Sequence, residues 1–224
     1  GTRLSPLTDE TPKPLMPFLG KSLLERIIEK LAISGVTEAM ISTMYRSDKI
    51  KRVIGDKCAG VQIKYLEETT PLGTAGGLKF APELLSLDKN ESFIVISGDC
   101  VCDFDIKKIS DYHEKINADA TIVTDECDSP LEYGIVLSNG GMICGFNEKP
   151  PWSQVNGNRV NTGIYVLKAS VIDMIPQGNY DFSGDLFPEM LKKGMKLAEF
   201  AADGYWCDIG NIESYYKCCL DALD

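Results

Sequence analysis

The chain has a single histidine, no long apolar run, no excess of positive charge and no C-x2-C pair. One histidine, His113, removes His-rich zinc clusters and makes any Ser-His-Asp triad depend on that residue alone. No stretch approaches the ~20 apolar residues that span a bilayer, and the start GTRLSPLTDE lacks the charged-then-apolar layout of a secretory leader. The expectation is a cytoplasmic protein that neither enters nor binds a membrane. Lys and Arg total 23 against 33 Asp and Glu, a formal charge of −10 that repels polyphosphate backbones at long range. Nucleic acid is therefore not an expected partner, and any phosphate site must be local. No repeat, low-complexity tract or linker interrupts the 224 residues, and the longest loop-like segment is EKPPWSQVNGNR at 148–159. At roughly 150 residues per domain, one compact domain is the default reading.

Eight cysteines are present, too dilute for a disulfide framework at this length, and most adjoin apolar runs. Reduced cytosolic thiols are expected, with Cys100, Cys102, Cys218 and Cys219 serving as packing. Ser22 and Glu25 form a capping box ahead of Leu23, Leu24, Ile27, Ile28 and Leu31, whose helical spacing ends at Gly35. EAMIST (38–43) then reads as a strand, SDKIKRVI (47–54) as a helix, VQIKYL (61–66) as a strand and TAGGLKFAPELL (74–85) as a helix. FIVIS (93–97) is apolar throughout, as expected of a strand covered on both faces. Asp105 starts a helix that carries His113 on its polar side, and ATIVT (120–124) is a further strand.

This alternation predicts a doubly wound α/β protein with a mixed, mainly parallel sheet, helices on both faces and ligands at the carboxyl ends of the strands. The second half is less regular. GIVLS and MICGFNE flank Ser138-Asn139-Gly140-Gly141, a hairpin signal, and TGIYVL (162–167) and GYWCDIG (204–210) read as strands, with helices in GDLFPEMLKK and over 212–223. It predicts an antiparallel insertion on the sheet.

In GTRLSPLTDETPKPLMP, prolines around Lys13 fix the backbone, and Arg3 and Lys13 together suit a phosphate cradle. Taken in isolation they read equally as a surface loop with two solvated cations. This stretch resembles the tail of the G-G-x-G-T-R-L-x-P-x-T-x-x-x-P-K-P motif of the sugar-1-phosphate nucleotidyltransferases, and further matches follow in that family's order. PLGTAGG (71–77) resembles its nucleoside loop, SGDC (97–100) its first metal site, YGIV (133–136) and EKP (148–150) its sugar-phosphate segments, VNTGIYVL (160–167) its sugar-hydroxyl loop, and GYWCDIG its second metal site.

The resemblance implies a Rossmann-like catalytic domain spanning 1–224 that lacks its first strand and the start of its phosphate loop, with a further C-terminal module in many relatives. It implies Mg2+ on Asp99 and Asp208, which act with Arg3 and Lys13 as the catalytic set, and a nucleoside triphosphate on Gly1, Thr2, Glu68, Gly73 and Thr74. The sugar 1-phosphate falls to Gly134, Glu148, Lys149, Asn161 and Thr162. No general base is needed when the nucleophile is already an anionic phosphate. Glu68 lies where uridylyl and thymidylyl members place a glutamine; a carboxylate there can accept from both the ring NH and the amino group of guanine, so GTP is the favoured base donor. Glu67 and Glu68 also read as solvated strand-end charges. PLEYGIVL, VNTGIYVLKASVIDMIP and DFSGDLFPEML are similar to the bacterial mannose-1-phosphate guanylyltransferase branch. Glucose-1-phosphate uridylyl-, thymidylyl- or adenylyltransferases, or a silent regulatory subunit, are the alternatives, and the residues leave a homo-oligomer open. Asp103 and Asp105 form the D-x-D of many glycosyltransferases, but they read as the start of the following helix.

Overall fold

The computed structural model describes residues 2–127, 130–148, 151 and 157–223. In chain order the elements are β1 (Pro17–Phe18), β2 (Lys21–Ser22), α1 (Leu23–Ile33), β3 (Glu38–Thr43), α2 (Ser47–Ile54), β4 (Lys57–Cys58) and β5 (Val61–Glu67). They continue with α3 (Ala81–Leu85), β6 (Ser92–Ile96), β7 (Cys100–Cys102), α4 (Ile106–Ile116), β8 (Ala120–Glu126), β9 (Gly134–Asn139) and β10 (Met142–Glu148). Last come β11 (Arg159–Lys168), α5 (Phe187–Lys192), β12 (Leu197–Ala201), β13 (Trp206–Asp208) and α6 (Ile212–Asp221). Among the described residues, no helix is long and apolar enough to cross a membrane. The chain divides into two compact units, one of residues 1–70, 97–106 and 204–224, the other of 71–96 and 107–203.

In the first unit, β3 and β5 run parallel and β4 pairs antiparallel with β5. α1 begins as its sequence dictates: the Ser22 hydroxyl accepts from the Glu25 amide at 3.2 Å and the Glu25 carboxylate accepts from the Ser22 amide at 2.8 Å. The apolar faces of α1 and α2 close on the strands through Leu24, Ile28, Ile50, Ile54, Val61 and Ile63. A second cluster, Leu4, Met16, Phe18, Leu23, Ile209 and Cys218, anchors the N-terminal loop and α6 beside the antiparallel pair β7–β13.

The second unit is a six-stranded sheet in the order β6-β11-β8-β12-β10-β9 over a core that includes Ile122, Leu167, Leu186, Phe187 and Leu197. The predicted hairpin joins β9 to β10, with Gly140 and Gly141 at φ 58° and 78°, a two-residue turn whose twist suits the strands.

The mixed α/β class stands, but the sheets are less parallel than expected. Only β3 with β5 and β8 with β12 run parallel among the described pairings; the hairpin and β11, inserted between β6 and β8, account for much of the antiparallel remainder. β6 pairs with β11 among the described residues and is half-buried along its length, less covered than its apolar run predicts. Residues 74–85 are a 3-10 turn, Gly76–Phe80, followed by the short α3, because two glycines weaken the start and Pro82 fits only a first turn. GDLFPEMLKK likewise opens as a π turn, Phe182–Leu186, before α5. His113 is buried, contrary to its expected place on a polar face: its Nδ1 lies 2.8 Å from the Thr121 hydroxyl.

Candidate functional site

The first unit gathers the four residues expected to act on phosphate. Lys13 opens a 3-10 turn, Lys13–Leu15, set between a buried Pro12 and Pro14 at the turn's start, so its backbone is rigid before its side chain is placed. Its ammonium lies 2.6 Å from Asp99 Oδ2 and 3.6 Å from Asp208 Oδ1. The two aspartates come together because β7 and β13 pair: Asp208 faces Cys100 in the register, and the Ile209 amide donates to the Asp99 carbonyl at 3.1 Å. Ser97 donates its hydroxyl to the other Asp99 oxygen. Arg3 is exposed on the turn Thr2–Leu4, tethered by the buried Leu4; a Cβ on Gly210 would stand 3.1 Å from the Asp208 carboxylate and 3.8 Å from the Arg3 guanidinium.

These contacts split the two carboxyls. Burial alone would raise Asp99, but the Lys13 charge with hydrogen bonds from Lys13 and Ser97 outweighs it, and the group is held below its ordinary range. At Asp208 burial dominates; Lys13 and Arg3 pull down, the Asp99 charge pushes up, and the net result is a raised pKa. Among the described residues no group of three His, Cys, Asp or Glu side chains forms a ready metal cage. Two carboxylates are the donor set that Mg2+ takes from protein when waters and phosphates supply the rest.

Glu68 sits just past β5, its amide donating to the Thr43 carbonyl at 2.8 Å and its carboxylate accepting from the Ser42 hydroxyl. It therefore lies at the carboxyl ends of the parallel pair β3–β5, where α/β proteins bind ligands. Asp103, by contrast, is engaged locally: its Oδ1 accepts from the Tyr205 amide at 2.6 Å, so it braces the turn before β13 instead of starting α4.

The second unit carries the remaining candidates. In the loop of Gly73 and Thr74, the Thr74 amide and hydroxyl both donate to Asp181 Oδ1 at 2.9 Å. Gly134 opens β9 opposite Glu148 in the β9–β10 register. On β11 the pairing with β8 shifts between Asn161 and Tyr165, and in that interruption Asn161 Nδ2 donates to Tyr165 Oη and Ser183 Oγ, both at 3.0 Å. Thr162 does not fit as a direct ligand. Its neighbour Asn161 takes the other face of the strand, and the buried Thr162 hydroxyl donates into the sheet, to the Val123 carbonyl at 2.8 Å. Gly1 and Lys149 lie outside the described residues, as do the side chains of Thr2 and Glu148. Sequence reasoning missed Asp181 and Ser183; periodicity cannot signal a partner 107 positions from Thr74.

A family model described as "Nucleotidyl transferase" matches residues 1–224. The mannose-1-phosphate guanyltransferase of Yarrowia lipolytica is 36% identical over 219 residues, covering 96% of this chain and 59% of its own length. The chain thus spans about three-fifths of the length of the curated relatives it matches. Among solved structures, HddC from Yersinia pseudotuberculosis complexed with GMP-PN superposes with a TM-score of 0.81 at 30% identity, covering 99% of this chain and 95% of that one. A putative glucose-1-phosphate thymidylyltransferase from Bacillus anthracis has a TM-score of 0.88 at 24% identity, covering 100% of this chain and 91% of its own, a likeness of fold.

Proposed function

Because the chain belongs to the nucleotidyl transferase family, we propose that residues 1–224 form a catalytic domain that joins a nucleoside triphosphate to a sugar 1-phosphate. GTP and mannose 1-phosphate are the favoured pair. The observation that carries this reading is the Lys13 ammonium held between Asp99 and Asp208 beside Arg3.

In the reaction, a phosphate oxygen of the sugar 1-phosphate attacks the α-phosphorus. The bond from that phosphorus to the bridging oxygen breaks in line, and pyrophosphate leaves with the electron pair. No protein nucleophile and no proton abstraction are required, so the buried His113 has no part in it. Asp99 and Asp208 would hold Mg2+, which supplies neutralisation of phosphate charge when bound. Lys13 and Arg3 stabilise the charge that builds on the leaving pyrophosphate, Lys13 as a point charge and Arg3 as a planar fork. Lys149 neutralises the incoming sugar phosphate, and Gly134, Glu148 and Asn161 take the sugar. Glu68, already oriented by Ser42, accepts from the guanine ring NH and amino group.

The test is pyrophosphate release from each nucleoside triphosphate across a panel of sugar 1-phosphates, paired with thermal shifts in GTP, UTP, dTTP, ATP and CTP with Mg2+. GTP should raise the melting midpoint most, since a ligand bound only by the folded state stabilises in proportion to its affinity. A larger shift with another base overturns the role of Glu68. Absence of pyrophosphate release from every pair overturns the reaction.

A further inference from the structure

The 73–76 loop is held by a segment about a hundred residues away in the chain. The Ala75 and Gly76 amides donate to the Tyr180 carbonyl at 2.8 and 3.1 Å, and the Tyr180 amide donates back to the Leu72 carbonyl at 2.9 Å. Two glycines allow this approach: a Cβ on Gly73 would lie 2.6 Å from the Tyr180 carbonyl oxygen, and one on Gly76 2.4 Å from that of Gly178. Asp181 closes the contact. Its Oδ1 takes both the amide and the hydroxyl of Thr74, and that hydroxyl in turn accepts from the Phe182 amide at 3.0 Å. Every polar group of Thr74 named here is thus turned toward the 181–182 segment, which makes Thr74 a fastening for the loop.

The post to which the loop is fastened is rigid. Phe182, Leu186 and Phe187 are buried, and the Phe182 ring packs 4.8 Å from Tyr165 and 5.6 Å from Phe187. The Asp181 amide is itself held by the Asp185 carboxylate at 2.9 Å. A carboxylate with two donors on one oxygen, mounted on a core-anchored turn, has the geometry of a device that presets a neighbouring loop.

We propose that Asp181 is a positioning residue for nucleoside triphosphate: through Thr74 it holds the 73–76 backbone in the conformation that receives the nucleoside. This rests on the reading of 71–77 as the nucleoside loop. A loop that must be ordered on binding loses affinity to that ordering, so releasing the latch weakens nucleotide binding and leaves the sugar phosphate unaffected.

The experiment measures GTP affinity in the presence of Mg2+ by calorimetry, the KM for mannose 1-phosphate, and amide hydrogen exchange over 72–77, all on the full chain. Asp181→Ala should weaken GTP about tenfold, the loss of the two hydrogen bonds accepted by Asp181 Oδ1 expressed as affinity, and speed exchange at Thr74, Ala75 and Gly76. The sugar-phosphate KM should stay within about twofold. Asp181→Asn keeps the accepting oxygen and should restore GTP affinity to within about twofold of the unaltered protein. Thr74→Val removes only the hydroxyl, and its loss should not add to that of Asp181→Ala, since the two act on one contact. Unchanged GTP affinity in Asp181→Ala, equal losses for both substrates, or an Asn variant as weak as the Ala variant each overturn the proposal. Failure of the unaltered protein to bind any nucleoside triphosphate overturns the reading of the loop and this proposal with it.

Discussion

Lys13 faces two carboxylates at unequal distance, and the inequality shapes what each aspartate can tolerate. Asp99, at 2.6 Å and hydrogen-bonded by Ser97, has its ionised form well compensated. Asp208, at 3.6 Å, is ionised at a cost, because burial and the Asp99 charge oppose it. Removing the Asp208 charge therefore relieves a repulsion, and Asp208→Asn should hold its melting midpoint to within about 2 °C while turnover falls about 100- to 1,000-fold. Calorimetry and a pyrophosphate-coupled assay read the two effects. A loss of midpoint beyond about 10 °C would make Asp208 a structural residue instead. Lys13 and Asp99 lie 86 positions apart, so no local spacing joins them. Only their separate motifs single them out, and the pairing of β7 with β13 then explains why the aspartates converge.

Elements whose signals are local could be read to the residue. β3 and α2 have the predicted bounds: β3 is a short run centred on the apolar Ala39, Met40 and Ile41, and α2 buries Ile50 and Ile54 at helical spacing, so each is decided by its own residues. What escaped the sequence depends on neighbours. The apolar run of β6 does not reveal that, among the described residues, its one partner is β11, and His113, read as surface, is drawn inward by a hydroxyl on the next strand. That contact ties α4 to β8 and makes their docking pH-dependent. Burial holds the His113 imidazole below its ordinary value, with Glu114 and Asp119 opposing and Lys168 assisting. Between the depressed native value and the ordinary one near 6.5, the unfolded chain binds a proton that the native chain refuses, so stability rises with pH in that window. The contribution is complete above about pH 6.5 and is lost as pH falls toward the native value. Melting midpoints should decline from pH 7 to pH 5, and His113→Asn, which can still reach Thr121 but does not titrate, should give a shallower decline. An identical slope in the variant would remove His113 as the cause.

At the scale of the molecule, the division into two units left no trace in composition, since each is assembled from separated stretches and no linker lies between them. The charge is the whole-molecule property with a measurable consequence. The chain as a whole carries a formal −10 while the few cations read as placed for triphosphate are positive, so long-range approach and capture at contact are governed by opposite fields. Approach crosses tens of ångströms of solvent, where salt screens effectively: the Debye length falls from ~30 Å at 0.01 M to ~8 Å at 0.15 M. Capture takes place at contact with Lys13, whose side chain is 18% exposed, where screening is weak. Raising the salt should therefore remove more repulsion than attraction. The association rate of a fluorescent GTP analogue with Mg2+, measured by stopped flow, should increase about two- to fivefold between those salt concentrations. The opposite sign, a rate that falls with salt, would mean that Arg3 and Lys13 project their field against the net negative charge of the chain and steer the nucleotide from a distance.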